Sequence, residues 1–107
     1  MKKTYTKTET IRTVRRKIAS TLKRYKVKQA ALFGSAVTGV FRSTSDIDLL
    51  IEFEKKSQPG IFEFIRLKRE LEKKMNRSVD LVTYNALHPF LRKKILDQKQ
   101  VIYGKNI

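Results

Sequence analysis

The chain of 107 residues has no cysteine, no tryptophan, one histidine and two prolines. Without cysteine there is no disulfide scaffold and no thiolate site for zinc or an iron–sulfur cluster. A single histidine, His88, leaves nothing for a histidine-rich metal cage or a Ser-His-Asp triad. Long apolar runs are missing too: Ala30-Ala31-Leu32-Phe33 is far too short to cross a bilayer. The start, MKKTYTKTETIRTVRRK, has basic residues with no apolar stretch behind them, unlike a secretory signal. These absences predict one reduced, cytoplasmic domain over residues 1–107, with no membrane association and residues 1–8 flexible.

Acidic residues are scarce as well: 10 Asp+Glu stand against 25 Lys+Arg, a net charge of +15. With 40% apolar residues the chain can still build a core, so the charge does not imply disorder. A surface this basic attracts polyanions or an acidic partner, or is simply solvated. The charge is uneven. Residues 1–28 carry eleven Lys/Arg and one acid, whereas residues 29–60 carry three cations and four acids.

Ile11, Val14, Ile18, Leu22 and Tyr25 recur at helical spacing and predict an amphipathic helix over about 9–26. Lys28–Phe33 reads as a short strand ended by Gly34, and Ser35–Gly39 has room for one helical turn. After a polar connection, Arg42–Ser45, the apolar Ile47–Phe53 has the character of an interior strand. Pro59-Gly60 marks a loop. The apolar spacing from Ile61 to Met75 gives a second long helix, with Glu70 and Lys74 four residues apart and Phe62 and Phe64 assigned to the core. Val79–Thr83 is a third strand, Pro89 opens a final helix to about Asp97, and Val101–Tyr103 offers a short last strand. The order is α-β-α-β-α-β-α with that strand at the end, an α/β (α+β) class.

The chemistry concentrates in Ser45-Asp46-Ile47-Asp48-Leu49-Leu50-Ile51. Alternate side chains of a strand share a face, so Asp46 and Asp48 stand about 6.5–7 Å apart on one face, with Ile47, Leu49 and Ile51 on the other. Two such carboxylates repel and lose hydration, and a divalent cation between them relieves both effects. Hard oxygen donors point to magnesium or manganese. A lone D-x-D also fits a turn cap and a solvated strand edge. The surroundings favour the metal, because Gly34-Ser35 ends a strand and opens a helical turn where free backbone N–H groups receive an anion. That combination suits metal-assisted attack on a nucleoside triphosphate. The G-K-[ST] of a Walker loop is absent.

Asp80 interrupts the apolar Val79-Asp80-Leu81-Val82 and is the third carboxylate for a two-metal site. Glu52 shares the face of Asp46 and Asp48 but lies beyond reach, and Asp97 reads as a surface charge. Arg42 either reaches phosphate or serves as a loop cation, and Ser45 joins it as a nucleotide-binding candidate. His88, before Pro89, reads as a helix cap rather than a catalyst.

Gly34-Ser35, ten residues, then Asp46-x-Asp48 resembles the G-S-x10-D-x-D signature of the DNA polymerase beta nucleotidyltransferase superfamily. The strings GSAVTGVFRSTSDIDLLIEF, FIRLKRELEKKMNRSVDLVT and ALHPFLRKKIL resemble the minimal nucleotidyltransferases (MNT family), over roughly residues 10–103. The resemblance implies a small mixed sheet flanked by helices, two magnesium ions on Asp46, Asp48 and Asp80, and the triphosphate of ATP over Gly34 and Ser35. It further implies an antitoxin that transfers AMP to a tyrosine of a cognate HEPN ribonuclease toxin. Ala36 and Thr38 stand where many members carry Arg or Tyr and Arg, respectively. With no separate acceptor-binding domain expected, the partner would dock on the basic first helix or the C-terminal helix. Two other readings remain at this point: an antitoxin acting by steric occlusion, and a nucleotidyltransferase acting on RNA ends.

Overall fold

The computed structural model describes residues 4–5, 7–38, 41–42 and 46–104. The elements in chain order are β1 (Thr4–Tyr5), α1 (Lys7–Arg24), β2 (Val27–Phe33), α2 (Ser35–Thr38), β3 (Phe41–Arg42), β4 (Ile47–Phe53), α3 (Ile61–Met75), β5 (Val79–Thr83), a 3-10 turn (Tyr84–Ala86), α4 (Pro89–Gln98) and β6 (Gln100–Tyr103). Four strands form a mixed sheet in the order β5-β4-β2-β6, in which only β4 and β5 run parallel. That parallel pair needs a crossover, and α3 supplies it. β1 and β3 form a separate antiparallel ribbon, Thr4 beside Arg42 and Tyr5 beside Phe41. The expectation of a flexible start therefore gives way at Thr4–Tyr5, where backbone pairing takes over.

Alternate residues of β4 face opposite ways, and Leu50, on the face of Asp48 and Glu52, is buried as well. Ile47, Leu49, Ile51 and Phe53 join one core cluster with Val14, Ile18 and Leu22 of α1 and Leu67, Leu71 and Met75 of α3. Both long helices thus cover one face of the sheet, and Asp48 and Glu52 point to the other. Burying a Leu or Ile side chain of this kind contributes about 1.5–3 kcal/mol. Lys28 is bulged out of the β2–β4 ladder between Val27 and Gln29, so Val27 returns to the core side.

Two side-chain expectations change in three dimensions. Glu70, offered by the sequence to Lys74, forms an ion pair with Arg24 of α1. Phe62 is 80% exposed and is not a core residue; of the two aromatics only Phe64 packs against the core, edge-on to Phe53. The buried stripe of α3 runs through Phe64, Leu67, Leu71 and Met75, and Phe62, five residues before Leu67, lies about 140° around the helix from it. Asp97 is a surface charge as expected, paired with Lys93.

Candidate active site

β2 and β4 run side by side so that Phe33 is paired with Asp48, which places Gly34 at the mouth of the sheet beside that carboxylate. Gly34 has φ +71, a left-handed conformation that side chains disfavour. Close approach excludes a side chain as well. A Cβ at this position would collide with Oδ2 of Asp48 and stand 3.0 Å from its Cγ. Glycine thus meets both demands of this position, the positive φ and the close neighbour. Ser35 follows as the first residue of α2, whose turn is closed by Val37 N donating to Gly34 O at 3.0 Å. The first amides of a helix, here those of Ser35 and Ala36, have no acceptor within it. Ala36 itself is buried in the core.

In the parallel β4–β5 pair, Asp48 and Asp80 are register partners. Partners in adjacent strands are about 4.8 Å apart and point to the same face. Asp46 lies two residues before Asp48, just ahead of β4, and is exposed. Burial pushes the Asp48 carboxyl above the usual carboxylate range, and the charges of Asp80 and then Asp46 push it further. The three aspartates therefore share one electrostatic neighbourhood, with half-buried Asp48 at its centre and Asp46 and Asp80 exposed on either side. Among the described residues no three acidic or histidine groups already close into a metal cage. What the site has is a set of hard oxygen donors in one electrostatic neighbourhood, which is the donor chemistry that suits magnesium or manganese.

One positioning residue escaped the sequence reading. Glu72 of α3 accepts a hydrogen bond from Val79 N at 3.0 Å, fixing the start of β5 immediately before Asp80. Ile47 N donates to Ser78 O at 3.0 Å and ties β4 to the same point. The helix ends there on Asn76 at φ 54, with Asn76 N bonded to Glu72 O. No local pattern marks Glu72, because its partner is a backbone amide seven residues on.

The remaining candidates divide. His88 caps α4, its Nδ1 accepting from Phe90 N at 3.2 Å. Glu52 is half-buried further along β4, lining a cavity of about 240 Å³ with Gln58, Tyr84 and Asn85, away from the aspartates. The backbone of Arg42 lies in β3, but its side chain and all of Ser45 fall outside the described residues, as does the side chain of Thr38.

The model of the family "Polymerase beta, Nucleotidyltransferase" matches residues 16–107. The chain belongs to this family. A Methanocaldococcus jannaschii relative, named as a candidate protein adenylyltransferase, is 43% identical over 89 residues, 82% of this chain and 92% of its own. A solved candidate minimal nucleotidyltransferase superimposes with a TM-score of 0.71 at 34% identity, covering 86% of this chain and 92% of its own. A complex of a Shewanella oneidensis tri-AMPylated HEPN toxin with an MNT antitoxin also contains this fold, in a chain with TM-score 0.63 and 22% identity, at 89% and 73% coverage. The α/β architecture expected from the sequence is that of the minimal nucleotidyltransferases, and the chain is a nucleotidyltransferase with a nucleotide substrate. No helix among the described residues is long and apolar enough to span a membrane.

Proposed function

We propose that this nucleotidyltransferase is a protein adenylyltransferase that moves AMP from ATP to a tyrosine hydroxyl of a HEPN toxin, and so acts as an antitoxin. The observation that carries the reading is the juxtaposition of Asp48 with Gly34 on one side and Asp80 on the other. It sets carboxylates beside an anion-receiving turn. The naming of the methanogen relative and the AMPylated toxin held by a protein of the same fold agree with it.

Asp46, Asp48 and Asp80 would hold two magnesium ions, with manganese as a substitute. When bound, the ions supply positive charge at the α-phosphate and lower the pKa of the acceptor hydroxyl. The amides of Ser35 and Ala36 and the Ser35 hydroxyl receive the terminal phosphates and hold them as pyrophosphate leaves. In this reading Asp80, which is exposed, takes the proton of an arriving hydroxyl. Arg42 and Ser45 complete the nucleotide contacts in this reading. The acceptor docks on α4, which buries none of its residues fully and exposes Phe90 by 89% and Leu91 by 52%. As an enzyme that consumes ATP, it works in the cytoplasm in this reading.

The test uses labelled ATP with magnesium and the partner toxin. Wild-type protein labels the toxin, whereas Asp46→Ala leaves it unlabelled with an unchanged fold by circular dichroism. Labelling by Asp46→Ala at the wild-type rate sinks the mechanism. Full neutralisation by an Asp46→Ala/Asp48→Ala variant would assign occlusion instead.

A further inference from the structure

On the helical layer, turned away from the aspartates, Arg24, Tyr25, Arg66, Arg69, Glu70, Lys73 and Lys74 line an open cleft of about 740 Å³. Five of these seven side chains are cationic. The one carboxylate, Glu70, is engaged by Arg24, whose guanidinium also lies 5.5 Å from the centre of the Tyr25 ring. Arg66, Arg69, Lys73 and Lys74 are exposed, and none of them is ion-paired among the described residues. Their spacing of three, four and one puts them along one flank of α3, over about 12 Å of helix. A cationic row of that length can follow the backbone of a short single-stranded segment.

Phe62 continues the same row. It stands one turn before Arg66 on that flank, and its ring is 80% exposed. A phenylalanine held in water at the end of a line of cations has no role in the core. Aromatic faces stack on unpaired bases, and arginine forks and lysines follow the backbone. Ile61 and Ile65 beside the ring are exposed as well, and apolar surface next to a line of cations fits a polyanion that itself carries flat apolar faces.

We infer that the α1–α3 cleft, with Phe62 at its end, is a binding surface for single-stranded nucleic acid. The strand runs along α3, on the layer opposite Asp46, Asp48 and Asp80. It is therefore a tether and not the acceptor of the transfer, and the catalytic face stays open while it is held. RNA and DNA share the phosphodiester chain and the base faces that this surface reads, so both bind.

Fluorescence anisotropy without ATP tests the surface, using labelled 12-nucleotide RNA and DNA strands, an RNA duplex and a polyglutamate peptide, over about 50–200 mM KCl. The single strands are expected to bind within a few-fold of each other and more tightly than the duplex or the peptide. Arg66→Gln/Arg69→Gln/Lys73→Gln should weaken single-strand binding by about tenfold or more and lower the slope of log K against log salt by about 2. Lys55→Gln/Lys56→Gln/Lys68→Gln removes equal charge elsewhere, Lys68 lying on the other flank of α3, and should change binding by less than about threefold. Phe62→Ala should weaken single-strand binding by about fivefold or more with the salt slope unchanged. Equal losses in the two charge variants would show diffuse attraction to a +15 surface and overturn the inference. So would unchanged binding by Phe62→Ala, or peptide binding as tight as RNA.

Discussion

Gly34 and Asp48 constrain each other. The positive φ and the missing Cβ let the carboxylate lie against the turn, so the residue that looks least chemical sets where the central charge stands. Gly34→Ala should therefore destabilise the fold by about 1–3 kcal/mol and abolish transfer, as read by thermal melting and toxin labelling. Asp48 shows the opposite trade. Its raised carboxyl pKa means that ionisation is less favourable in the folded chain than in the unfolded one. The penalty is complete above the raised pKa, shrinks as pH falls through it, and is gone below the ordinary value of 3.8. In EDTA at pH 7, Asp48→Asn should then melt higher than wild type, with the gap closing in acid. Added magnesium should raise the melting temperature of the wild type and leave that of the variant where it was. A variant that melts lower at pH 7 in EDTA would refute the repulsion argument.

At the scale of elements, β4 was legible almost to the residue. Ile47–Phe53 has the apolar run of an interior strand, and its alternation sends Asp48 to the face opposite the core. The helices were legible for the same reason, their apolar spacing being complete before any partner is considered. Phe62 was not, because the apolar residues at the start of α3 outnumber the positions that its buried stripe can use. The link from α3 to β5 is also tertiary. Glu72→Ala removes the acceptor of Val79 N and should cost about 1–2 kcal/mol and reduce transfer by loosening Asp80, whereas Glu72→Gln keeps an acceptor oxygen and should restore both. Melting curves and transfer rates of the two variants check this, and equal loss in both would mean that charge, not the hydrogen bond, matters.

The whole molecule separates two kinds of charge. Carboxylates gather at one end of the sheet on the face away from α1 and α3, and the outer side of the α1–α3 layer carries a cationic cleft. One face can then attract metal and nucleotide while the other attracts a polyanion, with the buried core of the helices and sheet between them. The apolar residues on α4 have a different consequence. Phe90→Ser/Leu91→Ser removes exposed side chains only, so the melting temperature should stay within about 2 °C of wild type. Labelling of the toxin should fall at low toxin concentration and recover at high, the signature of lost docking with intact chemistry. Unchanged labelling throughout would move the acceptor to another surface.

Residue order alone settled the order of the longer helices and of the four sheet strands, their apolar faces and the candidacy of Gly34-Ser35 with Asp46 and Asp48, because periodicity and short-range spacing act within a few residues. The two-residue strands β1 and β3 went unread, because a two-residue strand has no period. Residue order also singled out Asp80, since a carboxylate inside Val79–Val82 interrupts an apolar run. Only the tertiary structure decided that β4 and β5 lie parallel with Asp48 beside Asp80, that Glu72 anchors that register, and that Phe62 faces water. Each of these depends on which strand or helix becomes a neighbour, and that choice is made by the burial of the whole core rather than by any local stretch of chain.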